Sequence, residues 1–182
     1  MKLWIVRHAM PLIASGVCYG STDVAADTHQ TLLAASALAQ TLPSQCNVLG
    51  SPLQRCIQLT QALSVLRPDL KLQNESRLRE MDFGSWEGVA WDAIPQKAMQ
   101  DWTDDFGSHR FGGAESANEV LTRVASLWDE AQQNRDENQV WVTHAGVARA
   151  AHLLSKGIRR VESPSQWPKD APAYGQWWCV NI

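Results

Sequence analysis

Residues 3–11 read Leu3-Trp4-Ile5-Val6-Arg7-His8-Ala9-Met10-Pro11. The run Leu3–Val6 is apolar, partly β-branched and too short for a helix, the pattern of a strand bound for the middle of a sheet. Arg7 and His8 stand where such a strand would surface. The pattern recurs further along. Asn47–Gly50 reads as a second short strand and is followed by Ser51, with Arg55 one turn into the next helix. Gln139–Thr143 reads as another strand and is followed by His144 and Gly146 at a helix start.

Helical patterns separate these strands. Thr28–Leu42 repeats Leu32, Ala35, Ala39 and Leu42 at helical spacing, with Asp27 or Thr28 as cap and Pro43 as terminator. Ser51 as N-cap with Pro52 at the first helical position starts a second helix, which has Cys56, Leu59 and Leu63 on its apolar face and ends at Arg67-Pro68. Leu70–Gln73 is a third strand. Glu115–Asn134 is a long helix facing inward through Val120, Val124, Leu127 and Ala131. Val147–Ser155 is the last helix, and Gln176–Ile182 a final strand. Residues 77–113 break this rhythm. Rich in Trp, Asp and Gly, they predict irregular structure with short helices, a lid over the sheet edge. Strands alternating with helices predict an α/β fold, a three-layer α/β/α sandwich with a mostly parallel central sheet. Residues 1–182 are expected to form one domain.

Sixteen Lys and Arg against 19 Asp and Glu leave a net charge of −3, which argues against a nucleic-acid or anionic-membrane surface. Four irregularly spaced cysteines, Cys18, Cys46, Cys56 and Cys179, predict free thiols in a reducing compartment and no zinc site. The N-terminal apolar run is interrupted by Arg7 and His8 and does not read as a signal peptide; a cytoplasmic location is expected. Of the nine tryptophans, Trp86, Trp91 and Trp102 could offer a flat wall to a ligand, although packing the lid onto the sheet is the plainer role.

In a parallel sheet, ligands sit outside the carboxyl ends of the strands. That rule turns three strand ends into one pocket holding Arg7, His8, Arg55 and His144. Arginine binds phosphate oxygens bidentately and stays charged, and helix N-termini add oriented N–H groups, so the set suits a phosphoryl group. His29, His109 and His152 lack this placement.

The segment LWIVRHAMP resembles the RHG motif of the histidine phosphatase superfamily, with its phosphoglycerate-mutase-like fold. SPLQRCIQL resembles that family's second arginine motif, LREMDFGSWEG its acid loop, GGAES its Gly-rich turn and WVTHAGVAR its second histidine motif. These stand in the family's order from about Lys2 to Leu154. The loop GVCYGSTDV and the WEG form of the acid loop are most similar to the alpha-ribazole phosphatase branch. The resemblance implies a phosphomonoesterase acting on a small phosphorylated metabolite, alpha-ribazole 5′-phosphate being one candidate, with no cofactor and no metal. It implies that His8 becomes a phosphohistidine, that Arg7, Arg55 and His144 hold the phosphoryl oxygens, and that Glu80 is the proton donor; the chemistry of the set calls for a protonated His144, and Glu87, in the same loop, is the runner-up acid. Alternatives are a phosphomutase or a catalytically silent phospho-ligand binder on the same fold. Ala9 replaces the family's glycine and Met10-Pro11 its Glu-Thr pair. The family's phosphate-binding asparagine has no clear counterpart; Ser15 or the backbone around Gly20 are the expected substitutes. Oligomeric state is not legible.

Overall fold

The computed structural model describes residues 1–134 and 137–182. In chain order the elements are β1 (Lys2–Arg7), α1 (Thr28–Thr41), β2 (Asn47–Gly50), α2 (Gln54–Leu66), β3 (Lys71–Asn74), α3 (Gln96–Asp104), α4 (Ala117–Gln133), β4 (Gln139–Thr143), α5 (Ala145–Ser155) and β5 (Trp177–Asn181). The strands form one sheet in the order β3-β2-β4-β1-β5. The first four run parallel and β5 pairs antiparallel with β1, as expected of a mostly parallel sheet.

Strand alternation divides the core. Leu3, Ile5, Leu49 and Trp141 point to one face and pack with Val120, Val124 and Leu127 of α4 and with Val147 and Ala151 of α5. Trp4, Val6, Val48, Val140 and Val142 point to the other and meet Ala35 and Leu38 of α1 and Leu59 and Leu63 of α2. Both faces of β1 and β4 are therefore covered, which explains their unbroken apolar runs. Burying each such side chain is worth about 1.5–3 kcal/mol.

Two helices depart from the sequence reading. The buried stripe of α1 is Thr31, Ala34, Ala35 and Leu38, while Leu32 is 55% exposed. Both stripes have helical spacing. The alanine-rich one turns inward where space is tight: a Cβ built on Gly175 would lie 3.0 Å from the Ala34 Cβ. Helix α2 begins at Gln54, with Leu53 rather than Ser51 at the N-cap and no side-chain cap. Ser51 is drawn away because its Oγ bonds the His144 ring. Asp27 caps α1 as expected, accepting from the Gln30 N–H, and a Ser116–Glu119 capping box starts α4.

Residues 77–113 fold into 3-10 turns around α3. Phe111, fully buried, is the centre of an aromatic cluster: Trp102 stacks on it at 4.3 Å and Trp91 at 6.0 Å. This segment is tied to the loop after β1 by Cys18 N–H to Val89 carbonyl (2.8 Å), Gly88 N–H to Cys18 carbonyl (2.8 Å) and Trp91 N–H to Gly16 carbonyl (2.8 Å). Among the described residues no helix is long and apolar enough to cross a membrane, and the four cysteines are unbridged.

Candidate active site

Strands β2, β4 and β1 are neighbours, so their carboxyl ends lie side by side. The hydrogen-bond ladder runs past the strand ends: the His8 N–H donates to the Thr143 carbonyl (3.0 Å) and the Ser51 N–H to the Val142 carbonyl (2.9 Å). His8, His144 and Ser51 are thereby set in one row, with the His8 and His144 ring centroids 5.1 Å apart. His8, Arg55 and His144 are buried, at 2%, 0% and 1% exposure. Arg7 is half-buried, with its guanidinium 3.8 Å from the Tyr174 ring centroid.

Arg55 reaches in from the first turn of α2. Its Nε donates to His144 Nδ1 (3.2 Å), Nη1 to the Thr22 carbonyl (2.8 Å) and Nη2 to the Gly20 carbonyl (2.6 Å). Among the described residues neither Arg7 nor Arg55 forms an ion pair with a carboxylate. Arg7 Nη1 donates to the Pro172 carbonyl (3.1 Å), and its buried Nε has no partner among the described residues. Two guanidinium groups without counterions leave this corner short of negative charge, the condition an incoming anion relieves.

The ring partners fix the tautomers. His8 Nδ1 lies 2.7 Å from the Ala9 carbonyl, which only accepts, so Nδ1 carries the proton and Nε2 the lone pair. Burial, then Arg55 and Arg7, push the His8 pKa down to about 3 against the opposing Ala9 bond, which keeps the ring neutral at pH 7. His144 Nδ1 accepts from Arg55, so Nε2 is its protonated nitrogen and donates to Ser51 Oγ (2.8 Å). Burial first, then the neighbouring His8 and Arg55, hold its pKa well below the ordinary value. Burial, together with the Arg55 bond to Nδ1, therefore favours the neutral ring over the expected protonated His144.

Glu80, half-buried, lies at the N-terminus of α5. Its Oε2 accepts from the Gly146 N–H (3.0 Å) and its Oε1 from the Met81 N–H (3.1 Å). The carboxyl is thereby held against the backbone two residues along the chain from His144. Glu87 has another task. It accepts from the backbone N–H groups of Gly20 (3.0 Å), Ser21 (2.9 Å), Thr22 (3.0 Å) and Phe83 (2.9 Å), and from the Ser21 and Thr22 hydroxyls. Burial raises its pKa, but the hydrogen bonds, led by Thr22, outweigh this and lower it. Glu87 is an ionised anchor for the loop that feeds carbonyls to Arg55.

The two expected substitutes for the asparagine are placed differently from that reading. Ser15 is exposed in a surface turn. Gly20 is buried, its N–H given to Glu87 and its carbonyl to Arg55, so its backbone orients the guanidinium instead of offering a free donor. Sequence reasoning missed Tyr174 and Tyr19. Tyr174 packs on both Arg7 and His8, with its ring centroid 5.6 Å from that of His8, and its hydroxyl lies 3.1 Å from that of Tyr19. The clue was Gly175, whose φ of 70° makes a turn and whose N–H donates to the His8 carbonyl (3.0 Å). Of the three tryptophans considered for a wall, Trp86 packs 5.9 Å from Phe111, while Trp91 and Trp102 line a cavity that also touches Glu80. Among the described residues no group of three or more His, Cys, Asp or Glu side chains is arranged to hold a metal ion.

Residues 3–166 match the model of the histidine phosphatase superfamily, branch 1. A Hydrogenobacter thermophilus protein provisionally named phosphoserine phosphatase 2 is 25% identical over 86% of this chain and 79% of its own length. Phosphoserine phosphatase 1 of the same organism is 27% identical over 61% of this chain, which there spans about half of the relative, 54%. A solved structure of mycobacterial glucosyl-3-phosphoglycerate phosphatase shares the fold at a TM-score of 0.80, with 21% identity, over 98% of this chain and 88% of that one. With its motifs converging at one sheet edge and its sequence matched from the first strand past the last helix, the chain belongs to the histidine phosphatase superfamily, branch 1, and is a metal-independent phosphatase of that family.

Proposed function

We propose that the chain hydrolyses the phosphomonoester of a small metabolite in two steps through a phosphohistidine on His8. The observation that carries this reading is the neutral His8, its Nδ1 tied to the Ala9 carbonyl and its Nε2 lone pair left for attack, beside two guanidinium groups without counterions. Nε2 attacks phosphorus, the bond to the ester oxygen breaks, and protonated Glu80 gives its proton to the leaving alkoxide. Arg7, with its unpartnered Nε, and Arg55 balance the charge on the equatorial oxygens, and His144 positions Arg55 through the Nε–Nδ1 bond. Water then attacks phosphorus. Its proton goes to the Glu80 carboxylate, the P–N bond breaks, and the electron pair returns to His8 as phosphate leaves. Residues 77–113 act as a lid that selects the alcohol.

The test is chemical. Reaction quenched in alkali should leave an acid-labile, base-stable phosphoryl group on the protein, located to His8 by mass spectrometry, and His8→Ala should lose turnover. Near-normal turnover in His8→Ala would overturn the reading. A panel of phosphate esters, with alpha-ribazole 5′-phosphate, phosphoserine and glucosyl-3-phosphoglycerate among them, identifies the substrate. Appearance of an isomerised ester in place of free phosphate would mark a phosphomutase.

A further inference from the structure

Glu80 borders two cavities. One, of about 440 Å³, is lined also by Arg79, Asp82, Glu115, Glu119 and Arg123. It is largely acidic, and its Arg123 is already paired with Glu115 at 2.7 Å. The other, of about 230 Å³, is walled by Trp91, Trp102 and Trp167, with Gly146 and Arg149 beside Glu80. It holds two anomalies. The indole Nε1 of Trp102 and the guanidinium Nε of Arg149 are both buried and, among the described residues, both without a hydrogen-bond partner.

Such donors are costly in the interior, and both belong to side chains that line one apolar cavity, where an acceptor from outside the chain would relieve them. Arg149 sharpens the requirement. Its Nη2 donates only to the Lys169 carbonyl (3.0 Å), and among the described residues it forms no ion pair. Arg149 is half-buried, and burial lowers its pKa from the ordinary value while the nearby Glu80 opposes the shift. It comes from α5 one turn after His144, on the element that also fixes Glu80 through the Gly146 N–H.

We propose that the aromatic cavity is the leaving-group subsite and that it takes an alcohol with a flat or apolar body and a carboxylate, the carboxylate bound by Arg149 and by the Trp102 N–H. The assignment rests on the phosphatase reading above and deepens it. The ester oxygen lies at Glu80, the apolar body against Trp91, Trp102 and Trp167, and the anion at the far donors. Arg149 here is a specificity residue for the alcohol, distinct from Arg7 and Arg55, which serve the phosphoryl group.

The test compares phenyl phosphate with its 2-, 3- and 4-carboxy derivatives. The wild-type enzyme should favour at least one carboxyphenyl ester in kcat/KM. In Arg149→Met the ratio of that value to the phenyl phosphate value should fall by about 10-fold or more, the loss of one charged hydrogen bond. Arg149→Lys should restore part of the ratio, and Trp102→Phe should lower it a few-fold. A second measurement needs no variant: benzoate should inhibit phenyl phosphate hydrolysis competitively and about 10-fold more strongly than benzamide. Equal inhibition by benzoate and benzamide, no preferred isomer, or a parallel loss on both esters in Arg149→Met would overturn the subsite while leaving the phosphatase intact. Failure of the wild type to hydrolyse any of the four esters, together with no phosphohistidine on any substrate tried, would instead sink the reading beneath it.

Discussion

Glu80 and Glu87 belong to one loop and carry the same side chain, yet their hydrogen-bond partners assign them different work. Six donors converge on the Glu87 carboxylate, four from backbone and two from hydroxyls. A group so committed to its charged form makes a poor acid. Glu80 accepts from two backbone N–H groups and borders both cavities. Glu80→Gln should therefore lower kcat by about 100-fold on alkyl phosphates and far less on p-nitrophenyl phosphate, whose leaving group barely needs a proton. Glu87→Gln should show no such leaving-group dependence. Steady-state kinetics on both esters settles the assignment, and a leaving-group dependence found in Glu87→Gln instead would reverse it. Glu87→Ala should cost stability, about 3 kcal/mol in a urea titration, because it strands buried donors of the Gly20–Thr22 loop.

At the scale of elements, the N-terminal turn of α5 does two jobs: it follows His144 directly and it presents the Gly146 N–H to Glu80. The space at Gly146 is filled by that carboxylate. A Cβ there would lie 2.2 Å from Glu80 Oε1. Gly146 is helical, so alanine suits its backbone by about 1 kcal/mol. Gly146→Ala should consequently keep or slightly raise the thermal midpoint while cutting kcat on alkyl phosphates about 10-fold or more, as the proposed proton donor is pushed off its perch. Unchanged turnover in this variant would mean that Glu80 acts from another position. The α2 N-terminus teaches a related lesson. Ser51 and Pro52 make a strong start signal, but Ser51 is recruited by His144 across the sheet edge, and the helix starts later at Gln54. A tertiary hydrogen bond overrode a local cap.

The whole molecule buries two neutral imidazoles among cations, and this has a consequence for pH. The His8 pKa is about 3 in the fold against 6.5 for the ordinary side chain. Between those values the unfolded chain binds the proton and the native chain does not, so stability falls as pH drops through 6.5 toward 3 and is full above 6.5. His144, lowered for the same first reason, acts in the same direction. The thermal midpoint should decline from pH 7 to pH 5, and His8→Gln should show a smaller decline than the wild type. An equal decline in both would remove His8 as a cause. EDTA should leave turnover essentially unchanged at any pH in this range; a loss that magnesium or zinc restores would contradict charge balance by arginine alone.

The alternation of strands and helices, the strand ends that bear Arg7, His8 and His144, and the arginine one turn into α2 were all legible in the chain. These follow from periodicity and from short-range punctuation, which act within a few residues and survive in any fold with this order of elements. Glu80 entered the proposed catalytic set only through the resemblance of its loop to a family motif. Which polar atoms meet was set by packing between distant parts of the chain. Whether His144 is charged depends on Arg55 Nε, 89 positions away. Whether Glu87 is acid or anchor depends on the Gly20–Thr22 loop, 65 to 67 positions away. Tyr174 reaches His8 because β5 turns back antiparallel onto β1, a pairing between the two ends of the chain. Which stripe of α1 is buried, and which donors are left without partners in the aromatic cavity, are likewise settled by what packs opposite. Protonation and hydrogen-bond satisfaction are properties of neighbours in space, and no local pattern in the chain encodes them.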